Sequence, residues 1–200
     1  MSRNLIEEAH NVFNSIDRWI AFYEIQQQVD KIIDCWLTTG ATALRQDFAD
    51  HSSPSWKCCT WGVPWETRWY LDDQKDSINI GLGWREFELH LFHGGRDQQI
   101  CQRALEVLKS NTFEPLRTLI GAEENRANRK EEGSIFSVPY FNPFGEEADP
   151  ILRQRRIAWM AVNETAIFVE KVSGKIRQIT ENQTIVELIR DLNRQCMTPP

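Results

Sequence analysis

The chain has 200 residues, of which 41% are apolar and 26% are charged. This composition is typical of a globular domain, and a chain of this length buries roughly 70% of its unfolded surface. The net charge of -6 disfavours nonspecific binding to nucleic acid, which requires clustered Lys and Arg. A local basic face at Arg153, Arg155 and Arg156 nevertheless leaves nucleic acid open as a partner. Because apolar runs stay short of the ~20 residues that a membrane helix needs, we expect no membrane-spanning segment.

The five cysteines are an odd number, and no secretory signal pattern precedes the first charged residues. Both features favour the reducing cytoplasm as the location. Cys58 and Cys59 are adjacent and lack the C-x-x-C spacing with which two thiolates bind zinc. We therefore predict a cytoplasmic protein without a metal site of this kind.

Residues 5–37 carry apolar side chains every three or four positions, which predicts helices. Ser15 and Asp17 interrupt this pattern and favour two helices rather than one. Gly40 is typical of a helix C-terminus, so we predict a helix end there and a second, short helix over residues 41–49. The turn-forming stretch 51–55 separates this helical part from a strand-like part. We expect a single domain over residues 1–200, with a sub-boundary near residues 51–55 as the alternative.

Alternating apolar residues predict three antiparallel strands, over residues 65–71, 78–84 and 87–91. Gly81 and Gly83 fall on the face opposite to the apolar residues, which indicates close packing over that face or a bend. Helical spacing returns over residues 100–108 and 113–120, and a further strand is predicted to begin at Ser134.

At the C-terminus, Asp149 and Pro150 are typical of a helix start, and this helix is expected to end near Ile157. Residues 157–162 and 166–172 predict a β-hairpin that leads to a strand over residues 176–179. A last helix is predicted over residues 184–195. The fold class is therefore α+β, with N-terminal helices packed on a mainly antiparallel sheet (meander plus C-terminal hairpin) and a C-terminal helix.

Eight tryptophans are the most unusual feature of the composition. Tryptophan combines a large apolar surface with an N–H donor and is enriched where partners bind. The alternative is that these rings fill the core of the sheet. Because this many large rings are not expected to be buried together, we predict a partner-binding surface formed by Trp56, Trp61, Trp65, Trp69 and Trp84.

Glu86, Glu88 and His90 alternate along one predicted strand and would share a face. Carboxylates and an imidazole together can bind a divalent metal ion or act as acid and base. The alternative is the solvent-facing side of an ordinary amphipathic strand. These three residues are the catalytic candidates if the chain is an enzyme.

The sequence contains no G-x-S-x-G, H-E-x-x-H, P-loop or G-x-G-x-x-G motif, and we expect no cofactor. The favoured function is a noncatalytic cytoplasmic interaction protein of the inhibitor, immunity or accessory-subunit type. It would bind another macromolecule, most simply a protein, through the aromatic-rich surface. The alternative is a metal-dependent or acid/base hydrolase that uses Glu86, Glu88 and His90. The identity of the partner and the oligomeric state stay open.

Overall fold

The computed structural model describes residues 3–51, 55–61, 66–84, 87–120, 134–138 and 149–197. Its helices are α1 (Arg3–Val12), α2 (Ile16–His51), α3 (Gln98–Leu108), α4 (Glu114–Ile120), α5 (Pro150–Asn163), α6 (Thr165–Thr180) and α7 (Gln183–Met197). A short 3-10 turn, Asn111–Phe113, precedes α4. The strands are β1 (Trp56–Trp61), β2 (Glu66–Leu71), β3 (Ile78–Gly83), β4 (Glu88–His93) and β5 (Ser134–Val138).

The five strands form one antiparallel sheet in the order β1-β2-β3-β4-β5. Its core face carries alternate apolar residues and is covered by helices. Phe48 of α2 contacts Trp69, Phe168 of α6 stacks on Trp84, and Asn193 of α7 hydrogen-bonds both the N–H and the C=O of Ile78. The prediction of an α+β fold, with N-terminal helices, an antiparallel meander and a C-terminal helix, is confirmed.

The predicted C-terminal hairpin is wrong. Residues 157–162 lie in α5, and residues 166–172 and 176–179 lie in α6. The buried residues Phe168, Val172, Ile176 and Ile179 follow one another at helical spacings of four and three. Short apolar runs rich in β-branched residues do not distinguish a strand from a buried helix segment, and the packing of α6 against α2 decided for the helix.

The predicted start of α5 is confirmed. One carboxylate oxygen of Asp149 accepts hydrogen bonds from the backbone N–H groups of Ile151 (2.8 Å) and Leu152 (3.2 Å). Pro150 occupies the first turn of the helix, where its missing N–H costs no hydrogen bond. The predicted interruption after α1 is also present, because α1 ends at Val12 and α2 begins at Ile16.

Gly40 lies inside α2 and not at a helix end, so the predicted break there and the separate helix 41–49 are wrong. A Cβ atom at this position would lie 2.8 Å from the Cβ of Ala161 and 3.0 Å from a ring carbon of Phe168. Helices α5 and α6 therefore approach α2 closely at this residue. The absence of a side chain at Gly40 allows the three helices to pack closely together.

Gly40→Ala is expected to lower the free energy of unfolding by up to about 2 kcal/mol. Alanine gains ~1 kcal/mol of helix propensity, but overpacking typically costs ~1–3 kcal/mol. Gly174→Ala in α6 is the matched control, since a Cβ there meets no atom within 4 Å, and it should stabilise the protein by up to ~1 kcal/mol. Urea denaturation measures both changes. Equal stabilisation by the two substitutions would contradict the close packing at Gly40.

None of the helices that the structure describes is both long and apolar enough to span a membrane. The change from helix to strand falls between His51 and Trp56, where the sequence placed the alternative sub-boundary. The division into domains stays a prediction.

Candidate functional site

Three of the five tryptophans predicted to bind a partner are core residues. Trp56 is 2% exposed, and Trp69 and Trp84 are fully buried. The indole N–H of Trp84 donates to the hydroxyl of Thr67 at 2.8 Å, and its ring stacks on Phe168 at 6.0 Å. The prediction of a contact surface is therefore corrected for these three residues, because the helices cover their rings.

For Trp61 and Trp65, the contact surface stays a prediction. The backbone of Trp61 ends β1, but its side chain lies outside the described residues, as does the whole of Trp65. The predicted basic face is reduced, since Arg153 is buried and only Arg155 and Arg156 are exposed.

The predicted catalytic residues have a different environment in the structure from the one that the sequence indicated. Glu86 lies outside the described residues, and Glu88 is described only through its backbone in β4. His90 is 8% exposed, so the interpretation of a solvent-facing row is wrong for this residue. Its Nε2 atom is hydrogen-bonded to a carboxylate oxygen of Glu66, a residue that the sequence patterns did not single out.

Glu66 and His90 belong to strands on either side of β3 and meet across Gly81. The strand register aligns Arg68, Gly81 and His90 in one row across the sheet. A Cβ atom at Gly81 would overlap the ring of His90 and the carboxylate of Glu66. Because Gly81 has no side chain, the two polar groups can reach each other over it. This is the close packing over the glycine face that the sequence indicated.

Arg68 completes a buried polar cluster, which we define as Glu66, Arg68 and His90. Its Nε atom lies 2.5 Å from the second carboxylate oxygen of Glu66, and its guanidinium lies 4.4 Å from the ring centre of Phe92. Burial raises the pKa of Glu66, but the hydrogen bond from His90 and the charges of His90 and Arg68 outweigh it and hold the pKa below its usual value.

The second ring nitrogen of His90, Nδ1, is buried and has no hydrogen-bond partner within the described part of the chain. A carboxylate that holds one imidazole nitrogen orients the ring and the other nitrogen, as in catalytic triads. Across residues 3–51, 55–61, 66–84, 87–120, 134–138 and 149–197, no three His, Cys, Asp or Glu side chains are grouped to hold a metal ion.

The second distinctive feature is a helical arm, which we define as residues 3–28: α1, the turn after it and the first part of α2. Between residues 6 and 28 only Ala9 and Phe13 are partly buried, and the remaining side chains are exposed. Contacts of α2 with the hydrophobic core begin at Val29 and Ile33. The α2 part of the arm therefore projects from the body over 13 residues, about 20 Å of helix.

The arm exposes large apolar side chains at an unusual density. Eight of them are between 39% and 68% exposed: Ile6, Val12, Ile16, Trp19, Ile20, Phe22, Tyr23 and Ile25. An amphipathic helix has one apolar stripe, whereas Ile16 and Ile25 are nine residues apart and lie on opposite sides of α2. Six large apolar residues within residues 16–25 were the sequence signal for this surface, which periodicity alone had assigned to ordinary helix packing.

Phe13, in the turn between the two helices of the arm, packs its ring against α2. The ring of Phe13 lies 5.4 Å from that of Trp19 and 4.6 Å from that of Phe22. The hydroxyl of Ser15 accepts a hydrogen bond from the N–H of Arg18 at 3.3 Å and so caps the start of α2. A groove of about 620 Å³ lies between α1 and the first turn of α2, lined by residues that include Ile6, Ala9 and Trp19.

Comparisons of the chain with models of protein families, with curated proteins and with solved structures found no match.

Proposed function

We propose that the chain is a noncatalytic cytoplasmic interaction protein, of the inhibitor, immunity or accessory-subunit type, that binds another protein through the helical arm. The observation that supports this proposal is the exposure of eight large apolar side chains in the arm. The proposal keeps the function predicted from the sequence but moves the aromatic contact surface from the sheet to residues 3–28.

The size of this surface favours an interface. Phe, Tyr and Trp side chains have roughly 150–250 Å² of surface each and Ile and Val have less, so exposed fractions of 39% to 68% on eight residues amount to about 600–800 Å². The largest apolar patch on a typical monomeric protein covers ~300–600 Å². Exposed apolar area at or above the top of this range, although it is distributed around α2, favours a surface that a partner covers.

The charge of the arm favours a protein as the partner. Residues 3–28 contain the basic residues Arg3 and Arg18 and four acidic ones, Glu7, Glu8, Asp17 and Glu24, for a net charge of -2. A nucleic acid or an anionic membrane surface would be repelled by this charge. Exposed Trp, Tyr and Phe with few charged neighbours are typical of protein interfaces.

The proposal is tested by affinity capture with the tagged full chain from extracts of its source cells. Replacing both Trp19 and Tyr23 with alanine should weaken binding of the partner by about 30-fold or more, since even one aromatic hot-spot residue contributes ~2 kcal/mol or more. Ile151→Ala with Leu152→Ala in α5 is the control, because these residues are equally exposed but lie outside the arm. Equal capture by the arm variant and the control would contradict the proposal.

The second candidate function is acid/base hydrolysis by His90, with Glu66 as the carboxylate that orients it. The specific observation in its favour is the hydrogen bond between the two, with Nδ1 of His90 lacking a partner in the described residues. This nitrogen is buried, so a substrate would need a different conformation to reach it. Because the helical arm is accessible as it stands, we rank hydrolysis second.

A further inference from the structure

We infer that the partner of the helical arm is the arm of a second copy of this chain, so that the protein is a two-fold symmetric dimer. This inference rests on the proposed function and names the partner. The area of the patch supports it first. Each protomer of a stable complex contributes ~800 Å², and the apolar side chains of one arm expose about this area.

The pattern of residues along α2 supports the pairing of two helices. Ile16, Ile20 and Tyr23 follow one another at spacings of four and three, which place them on one side of the helix as in a coiled-coil seam. The next position of this seam is Gln27, just before α2 enters the body at Val29. The apolar seam is therefore confined to the projecting segment, where an identical seam can lie against it.

The short helix α1 supports a contact that buries more of the arm. Isolated helices shorter than ~12–15 residues are marginal in water, and α1 has only 10. Two of its large apolar residues, Ile6 and Val12, are each 57% exposed. Two arms of two helices each would form a four-helix bundle, in which these side chains and the seam of α2 share one core.

The composition of the arm fits a symmetric interface. Homodimer interfaces are more apolar than other interfaces and poor in charged residues at their centre. Residues 16–28 contain three charged residues, Asp17, Arg18 and Glu24, and none of them occupies the seam. A two-fold interface joins the same surface of each copy, so the apolar seam of α2 can pair with the identical seam of a second copy.

Sedimentation velocity of the purified full chain over about 1–100 µM tests the inference. Wild-type protein should sediment as a dimer, at twice the chain mass of 23.4 kDa. Ile20→Glu should raise the dimer dissociation constant by about 100-fold or more, because a two-fold interface contains each substitution twice. Ile167→Glu in α6 is the matched control, since Ile167 is 46% exposed and Ile20 48%, and it should leave the dimer intact. Circular dichroism checks that both variants fold.

Two results would overturn the inference: wild-type protein at 23.4 kDa over the whole range, or an Ile20→Glu variant that remains as dimeric as the control. If the chain is monomeric and capture of a different protein still depends on Trp19 and Tyr23, the second copy is excluded while the proposed function survives. If arm substitutions change neither mass nor capture, both fail. Binding of a monomer to anionic vesicles that Ile20→Glu abolishes would likewise exclude the second copy and assign the arm to a lipid surface.

Discussion

Trp84→Ala is expected to lower the free energy of unfolding by about 3–5 kcal/mol, the range for large buried aromatic residues. The ring is fully buried and contacts Phe87 at 5.8 Å and Phe168 at 6.0 Å, so its removal leaves a cavity between β3 and α6. The substitution also removes the indole N–H that donates a hydrogen bond to the hydroxyl of Thr67. The effect would follow from lost packing and a lost buried hydrogen bond.

Chemical denaturation of the wild type and the variant measures this change. Trp159→Ala is the matched control, since Trp159 is 45% exposed and its loss should change stability by less than ~1 kcal/mol. If Trp84→Ala were as stable as the control while partner capture was lost, Trp84 would have to be returned to the contact surface. We expect the reverse, with folding impaired and the arm still accessible.

Glu66→Gln is expected to lower the free energy of unfolding by about 3 kcal/mol at neutral pH, because removing one partner of a buried ionic cluster is strongly destabilising. The side chains of Glu66 and Arg68 are 14% and 8% exposed, and His90 loses the carboxylate that holds its Nε2 atom. The exposed Glu106 forms an ion pair with Lys109, and Glu106→Gln as the control should change stability by at most ~0.5 kcal/mol.

The effect of Glu66→Gln depends on pH with a definite sign. The folded-state pKa of Glu66 lies below its usual value of 4.5, so the folded protein binds a proton at this residue less readily than the unfolded chain does. The carboxylate therefore stabilises the fold fully above about pH 4.5, and the contribution is lost as the pH falls through the lowered folded-state pKa.

Urea titrations at a series of pH values from about 7 to 3 check this dependence. The difference in unfolding free energy between wild type and Glu66→Gln should be constant at the higher pH values and shrink at the lower ones. A difference that stays the same down to about pH 3 would show that the loss comes from side-chain shape and not from the charge of Glu66.

The parts of the fold that sequence patterns predicted are those that depend on near neighbours. The capping carboxylate of Asp149 and the fixed backbone of Pro150 start α5, and alternating residues such as Trp69 and Leu71 distinguish the two faces of β2. The helix end predicted at Gly40 was wrong, because sequence alone does not distinguish a glycine at a helix end from a glycine where three helices cross. Only the contacts with Ala161 and Phe168 distinguish the two.

One of the three residues of the polar cluster, His90, was predicted from the sequence. Alternation singled out His90 as a chemically interesting residue, but its partner Glu66 is 24 positions away in the chain. Their contact requires both the strand order, with β3 between β2 and β4, and the register that places Gly81 beside His90. No local pattern specifies that register, because a shift of two residues would keep every apolar side chain on the same face.

The sequence by itself determined the α+β class, the antiparallel meander and the acidic, aromatic composition, since these follow from spacing and residue type along the chain. The tertiary structure decided which aromatic side chains remain accessible. Packing of α2, α6 and α7 against the sheet buries Trp56, Trp69 and Trp84. The contacts of α2 with the core begin only at Val29, which leaves Trp19 and Tyr23 exposed. Burial depends on how distant segments pack together, and only the folded chain specifies that packing.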